Sequence, residues 1–161
     1  MLRARREDRF TVLDRVLRFA PAGPGAVDLD LGEAVARVAI ARDGSLRLRA
    51  ASGRELPTEL DAALGRAPWR ASNAEPFALD GGGAALAFDG PEGALRVEVA
   101  THPLALRVFE RGGRQIARLG ELGFGVDGAA RVVLACAEDD RFLGFGGKTG
   151  PLDKRGQVLR M

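Results

Sequence analysis

Apolar and polar residues alternate along most of the chain, in short runs that end at glycine or proline. A half-buried β-strand produces this period of two, because successive side chains point to opposite faces of a sheet. The clearest runs are Val27–Leu31, Val35–Ile40, Leu46–Arg49, Leu95–Val99 and Leu104–Phe109. The pattern therefore predicts an all-β protein, an antiparallel β-sandwich.

Turn signals between these runs predict where the chain reverses. Asp43-Gly44 has the composition of a hairpin turn, and Arg111–Arg114 contains two adjacent glycines. The three glycines of Asp80–Gly83 predict a third reversal, between Phe77–Leu79 and Ala84–Phe88. The alternative for this glycine run is a close approach of the backbone to a ligand.

Four stretches have a less regular pattern. Phe10–Phe19 fits a helix as well as a strand, and Leu119–Val126, with its glycines, is either a loop or an irregular strand. Glu55–Pro76 contains apolar spacing for one or two helical turns. Arg131–Ala137 is predicted to be an apolar strand that holds the single cysteine, Cys136, as a small core residue.

Composition and charge restrict the classes of protein that fit. The chain has 161 residues, 46% of them hydrophobic, and a formal net charge of +2. We expect one domain spanning 1–161. Acidic and basic residues alternate, so we expect no nucleic-acid partner. Without an apolar run near the ~20 residues of a membrane span, we expect no membrane partner and a cytoplasmic location.

Candidate metal-binding and nucleophilic residues are few. The chain contains one histidine, His102, and one cysteine. A single histidine supports neither a histidine-based metal site nor a Ser-His-Asp triad, and its place beside Pro103 favours a structural or solvent-facing role. We therefore expect no metal and no cofactor.

The glycine-rich tail concentrates unusual residues. The only lysines of the chain, Lys148 and Lys154, lie here among five glycines and a proline. A Walker A loop would need a glycine where Phe142 stands, and a dinucleotide-binding fingerprint would need one where Thr149 stands. The tail is therefore predicted to be an exposed binding loop of another kind.

Residues 139–156 read DDRFLGFGGKTGPLDKRG. This stretch resembles the signature that closes the N-terminal β-sandwich domain of glycoside hydrolase family 31, the α-glucosidase and α-xylosidase family. In that family a phrase close to DERFYGLGEKTGPLDKRG leads into a Met-Trp-Asn-Thr-Asp-like sequence and then the catalytic barrel. Gly147 replaces the usual glutamate, which puts in doubt any contact that this glutamate makes. The resemblance is specific over 139–161 and loose over about 30–118.

The resemblance implies a galactose-mutarotase-like sandwich and a parent enzyme that hydrolyses α-glycosides with retention. Its two catalytic aspartates belong to a (β/α)8 barrel that is absent from this chain, so we expect no catalytic residue here. The expected partners are that barrel and, through the parent enzyme, an α-linked carbohydrate. The residues expected on the substrate-side or interdomain loop are Lys148, Thr149, Asp153, Lys154 and Arg155.

Two alternatives remain open at this point. Trp69, the only tryptophan, is a candidate sugar platform of an autonomous carbohydrate-binding module, or an anchor that packs a loop onto the sandwich. A mutarotase-type enzyme would need a histidine and a carboxylate as acid and base, with only His102 available.

A sandwich without its barrel is also expected to expose an apolar face, through which a homo-oligomer would form.

Overall fold

The computed structural model of the protein describes residues 10–57, 70–73, 77–78 and 85–135. Within these ranges the regular structure consists of β-strands and one short 3-10 turn at Pro91–Gly93, without an α-helix. The predicted all-β class is confirmed. The strands are β1 (Phe10–Val12), β2 (Arg18–Pro21), β3 (Ala26–Asp30), β4 (Ala34–Ile40), β5 (Leu46–Ser52), β6 (Phe77–Ala78), β7 (Ala85–Asp89), β8 (Leu95–Thr101), β9 (Leu104–Glu110), β10 (Gln115–Gly125) and β11 (Ala130–Ala135).

The strands form two antiparallel sheets. The seven-stranded sheet has the order β1-β10-β9-β8-β7-β6, and β11 pairs with β10. The four-stranded sheet has the sequential order β2-β3-β4-β5. The predicted hairpins at Asp43-Gly44 and at Arg111–Arg114 join β4 to β5 and β9 to β10, and a further turn at His102-Pro103 joins β8 to β9. Strands β6 and β7 also pair as predicted, while the glycine run between them lies outside the described residues.

The two sheets share one hydrophobic core. Leu29, Val38 and Ile40 from the four-stranded sheet belong to the same buried cluster as Val97 and Leu106 from the seven-stranded sheet. Fully burying a side chain of this size stabilises the fold by roughly 1.5–3 kcal/mol. Because each sheet buries one face against the other, the architecture is sandwich-like.

Phe10–Phe19, which the sequence left between helix and strand, forms β1, a crossover and β2. Leu13 donates its backbone N–H to Leu122 O of the seven-stranded sheet at 2.8 Å. Leu17 donates to Asp30 O of the four-stranded sheet, also at 2.8 Å. Leu13 and Val16 are buried in the core, so this segment connects the sheets while burying its apolar side chains between them.

Leu119–Val126, predicted as a loop or an irregular strand, continues β10 to Gly125. The pairing with β11 shifts register between Leu119 and Glu121. A bulge at Gly120 lets Leu119 and Leu122, three positions apart, both enter the core. At Gly123 an added Cβ would lie 2.8 Å from Thr11 O, so glycine lets β1 approach closely. The glycines here shape a strand.

Glu55–Pro76, predicted to contain helical turns, lies mostly outside the described residues. Its described ends are irregular rather than helical. Arg70–Asn73 runs alongside the end of β4, where an isolated bridge joins Ala41 to Ala71. This segment therefore borders the four-stranded sheet.

Candidate functional site

The site residues predicted from the sequence lie outside the described residues. This holds for the loop residues Lys148, Thr149, Asp153, Lys154 and Arg155, and equally for Trp69 and Cys136. Their predicted roles stay predictions. The described part of the chain reaches Ala135, the end of β11, shortly before the glycoside hydrolase-like signature begins. Strand β11 is therefore the described element nearest in sequence to the predicted loop.

Strand β11 carries exposed apolar side chains, although the residues paired with them on β10 are buried. Val132 is directly opposite Leu122 and Leu134 is opposite Leu119, so each pair shares one face of the sheet. Leu122 and Leu119 are 3% and 4% exposed, whereas Val132 and Leu134 are 52% and 58% exposed. The face that forms the core is thus covered at β10 and uncovered at β11.

The opposite face of β11 is partly polar. Arg131 and Glu121, on adjacent strands, form an ion pair with 3.1 Å between Nε and Oε1. Val133, paired with Glu121, is 37% exposed. Val132 and Leu134, which share the core-forming face, are both exposed and are here called the β11 surface, whereas Val133 points to the opposite face. An exposed apolar patch of this kind is typical of a surface that contacts another protein.

His102 lies in the turn between β8 and β9. The side chain is exposed, and its Nδ1 is 3.4 Å from Asp14 O. Of the two roles predicted for His102, structural or solvent-facing, the exposed position agrees with the second. The described residues contain no group of His, Cys, Asp or Glu side chains suited to holding a metal ion.

A polar cleft of about 650 Å³ lies between the β4–β5 turn, the segment Arg70–Asn73 and the β7–β8 connection. Its described lining includes Arg42, Asn73, Asp89 and the buried Ser72, together with Gly90 and Pro91. Asp89 Oδ1 is 3.9 Å from Arg96 Nε. Retaining glycoside hydrolysis uses two carboxyl groups about 5–5.5 Å apart. The described lining supplies one carboxylate.

Three carboxyl groups in the described part of the chain have lowered pKa values, and each lies at a turn or strand end. The Gly32 backbone N–H, followed by Arg18, lowers the pKa of Asp30. The backbone N–H of Ser45 lowers the pKa of Asp43, and the Arg114 side chain lowers that of Glu110. A general acid in a glycosidase needs a raised pKa, so these groups have the electrostatics of structural carboxylates.

The described residues include no helix that is long and apolar enough to cross a membrane. Comparisons of the chain with protein-family models, with curated proteins and with solved structures found no match. The likeness of residues 139–156 to glycoside hydrolase family 31 accordingly enters the function as a proposal.

Proposed function

We propose that the chain is the non-catalytic N-terminal β-sandwich domain of a family 31 α-glycosidase, with a galactose-mutarotase-like arrangement of strands. The parent enzyme hydrolyses α-glycosides with retention. The observation that carries the proposal is the ungapped signature at 139–156, which resembles the family over its whole length. The all-β sandwich that precedes the signature is compatible with that place in the family's domain order.

The β11 surface supports a neighbouring catalytic barrel as the partner. This strand is the last described element before the signature, and in the family the signature leads from sandwich to barrel. Val132 and Leu134 lie on the core-forming face of the seven-stranded sheet and are exposed there. A barrel packed at this edge would bury them and gain the corresponding hydrophobic free energy.

In this proposal the loop after β11 lies between sandwich and barrel, at the edge of the substrate site. Lys148, Lys154 and Arg155 supply hydrogen-bond donors, and Thr149 and Asp153 supply acceptors. Such groups position a sugar or hold the loop against the barrel without taking part in bond cleavage. The catalytic carboxylates belong to the barrel.

An activity assay tests the division of labour. The purified chain is incubated with 4-nitrophenyl α-glucoside and 4-nitrophenyl α-xyloside, and release of nitrophenol is followed. We expect no turnover above the buffer rate, because a retaining glycosidase needs two converging carboxyl groups. Turnover by the chain alone would contradict the proposal.

Sugar binding and gene context separate the proposal from the autonomous carbohydrate-binding module. Calorimetric titration with maltose is expected to give no saturable heat, and tight binding that Trp69→Ala abolishes would favour the module instead. The coding sequence downstream of Met161 is expected to contain a Trp-Asn-Thr-Asp-like phrase followed by a barrel. A genome that encodes no such barrel next to this sandwich would contradict the proposal.

A further inference from the structure

The outer face of the four-stranded sheet contains a hollow with an alanine floor. Ala26 of β3 pairs with Ala39 of β4, and Ala39 pairs with Arg47 of β5. The three residues form one row across the sheet and point away from the core, because Val27 and Val38 beside them point into it. Small side chains at two adjacent positions of the row leave room above the backbone.

Two chain segments close the hollow at its sides. The turn between β2 and β3 contributes Gly23 and Pro24, and Ala71 borders the sheet through its bridge to Ala41. Arg42 holds Ala71 in place, since its Nε donates to Ala71 O at 3.1 Å. The resulting cavity has a volume of about 150 Å³. Ala39 in its floor is only 6% exposed although it lies on the outer face.

Three arginines from two strands surround this hollow. Arg47 borders the floor directly, and the next row of the sheet pairs Arg37 with Arg49. Like charges directly opposite each other on neighbouring strands destabilise a sheet. Asp28 balances one of them through two hydrogen bonds to Arg37, at 2.6 and 2.8 Å. In the described part of the chain, no carboxylate lines the hollow itself.

The arginine side chains are held in position by the protein. The guanidinium of Arg37 donates hydrogen bonds to the Asp28 carboxylate, and Arg49 Nη2 donates to the Pro57 carbonyl oxygen. Arg47 also interacts with another residue of the chain. Fixing a side chain before a ligand binds lowers the entropic cost of binding. A guanidinium offers several donors in one plane, a geometry that matches the oxygens of phosphate and sulfate.

The volume restricts what the hollow accepts. A water molecule occupies about 30 Å³ of liquid, and pockets for whole drug-sized ligands measure roughly 300–1,000 Å³. The hollow of about 150 Å³ therefore suits one small polyatomic group. An adjoining cleft of about 390 Å³ shares Pro24 and Ala71 with it and adds Arg42 and Arg70. This cleft has room for the rest of a larger molecule.

We propose that the arginine-lined hollow on the outer face of the four-stranded sheet binds a tetrahedral phosphate or sulfate group, either as the free anion or as part of a small molecule that extends into the adjoining cleft. The site lies on the other sheet from β11. It is independent of the proposed function, because its argument uses no feature of the signature.

Calorimetric titration of the full chain with inorganic phosphate at low ionic strength tests the site. Arg47→Gln removes a charge at the hollow, and Ala39→Leu fills the floor without changing any charge. Arg107→Gln is the matched control, since it removes the same charge from an exposed side chain on the other sheet. Circular dichroism of each variant verifies that the fold is retained. Arg49→Gln serves as a second charge variant if Ala39→Leu fails to fold.

We expect saturable phosphate binding by the unaltered chain, weakened by about tenfold or more in Arg47→Gln, because a charge-assisted hydrogen bond is lost. Ala39→Leu is expected to abolish binding, and Arg107→Gln to leave it unchanged. Absence of saturable binding by the unaltered chain would overturn the proposal. Equal weakening by Arg107→Gln would also overturn it, since binding would then reflect overall charge.

Parallel titrations identify the source of the anion. Glucose 6-phosphate and inorganic sulfate are compared with inorganic phosphate under the same conditions. If glucose 6-phosphate binds more tightly than inorganic phosphate, and Arg70→Gln removes this difference in affinity, the site is assigned to a phosphorylated small molecule. Equal affinity for all three assigns it to the free tetrahedral anion. Binding of glucose 6-phosphate that Arg47→Gln does not weaken would contradict the hollow as the phosphate site.

Discussion

Single residues decide how tightly the segments at the edge of the four-stranded sheet meet. Gly25 has a φ of +65°, and its carbonyl accepts the Ile40 backbone N–H at 2.8 Å. A Cβ at this position would overlap the buried Ser72 Oγ and lie 2.8 Å from Ile40 O. Glycine is therefore required here both by the left-handed backbone and by the close approach of Ser72.

Gly25→Ala is expected to lower the free energy of unfolding by about 1–3 kcal/mol, because an added methyl group is forced into a packed junction at an unfavourable φ. Urea unfolding followed by circular dichroism measures the loss. Gly23→Ala is the matched control, since Gly23 also has a positive φ, +104°, but nothing lies within 4 Å of its added Cβ. Equal losses in the two variants would show that backbone strain alone is responsible.

At the scale of the element, β10 and β11 show that residues paired across a sheet, on the same face, need not be equally buried. Both strands carry apolar residues on the face that forms the core, yet only those of β10 are covered. The buried cluster shared by the two sheets includes Leu119 and Leu122 of β10 but no residue of β11. The exposed residues of β11 add little to the stability of the isolated chain, which leaves them available to a partner.

Leu122→Ala is expected to cost about 2–5 kcal/mol, as for other buried leucines. Val132→Ala, directly opposite on the same face, is expected to change stability by about 0.5 kcal/mol or less, as for other surface substitutions. Urea unfolding of both variants in parallel measures the contrast. A loss at Val132 comparable to that at Leu122 would show that β11 is covered in solution.

At the scale of the whole molecule, the shared core makes each sheet depend on the other. Leu29 and Leu106 lie on different sheets but belong to one buried cluster. Neither sheet has a second apolar layer of its own among the described residues. The sandwich should therefore unfold as one cooperative unit, as small single domains usually do.

Leu29→Ala and Leu106→Ala are each expected to destabilise both sheets together, by about 2–5 kcal/mol. Hydrogen exchange measured by mass spectrometry should show amides of β3 and of β8 gaining exchange by the same amount in either variant. Faster exchange confined to the sheet that carries the substitution would contradict a single cooperative unit.

Much of the strand pattern was predictable from the sequence. Val27–Leu31 and Leu104–Phe109 alternate with a period of two, which depends only on local backbone geometry, and both form strands. The nature of Phe10–Phe19 was not predictable, because its apolar spacing fits two periods. Backbone hydrogen bonds from this segment to Leu122 of one sheet and to Asp30 of the other decide its extended conformation.

The candidate sites were likewise predictable from the sequence only in part. Arg47 and Arg49 alternate with Leu46 and Leu48, so the sequence places them on the solvent face of a strand. Their convergence on a hollow depends on Ala39 of the neighbouring strand and on Ala71, far along the chain. The loop that includes Lys148 is a prediction from the sequence alone, carried by the resemblance of its motif.

The sequence by itself determined most of the strands, where most of them reverse and which residue types each strand carries, because these follow from the period of the chain and from local turn chemistry. Only the tertiary structure decided that Leu122 is buried while Val132, its partner across the sheet, is exposed. The physical reason is that burial depends on what lies over a face, and the buried cluster that includes Leu122 does not extend to Val132.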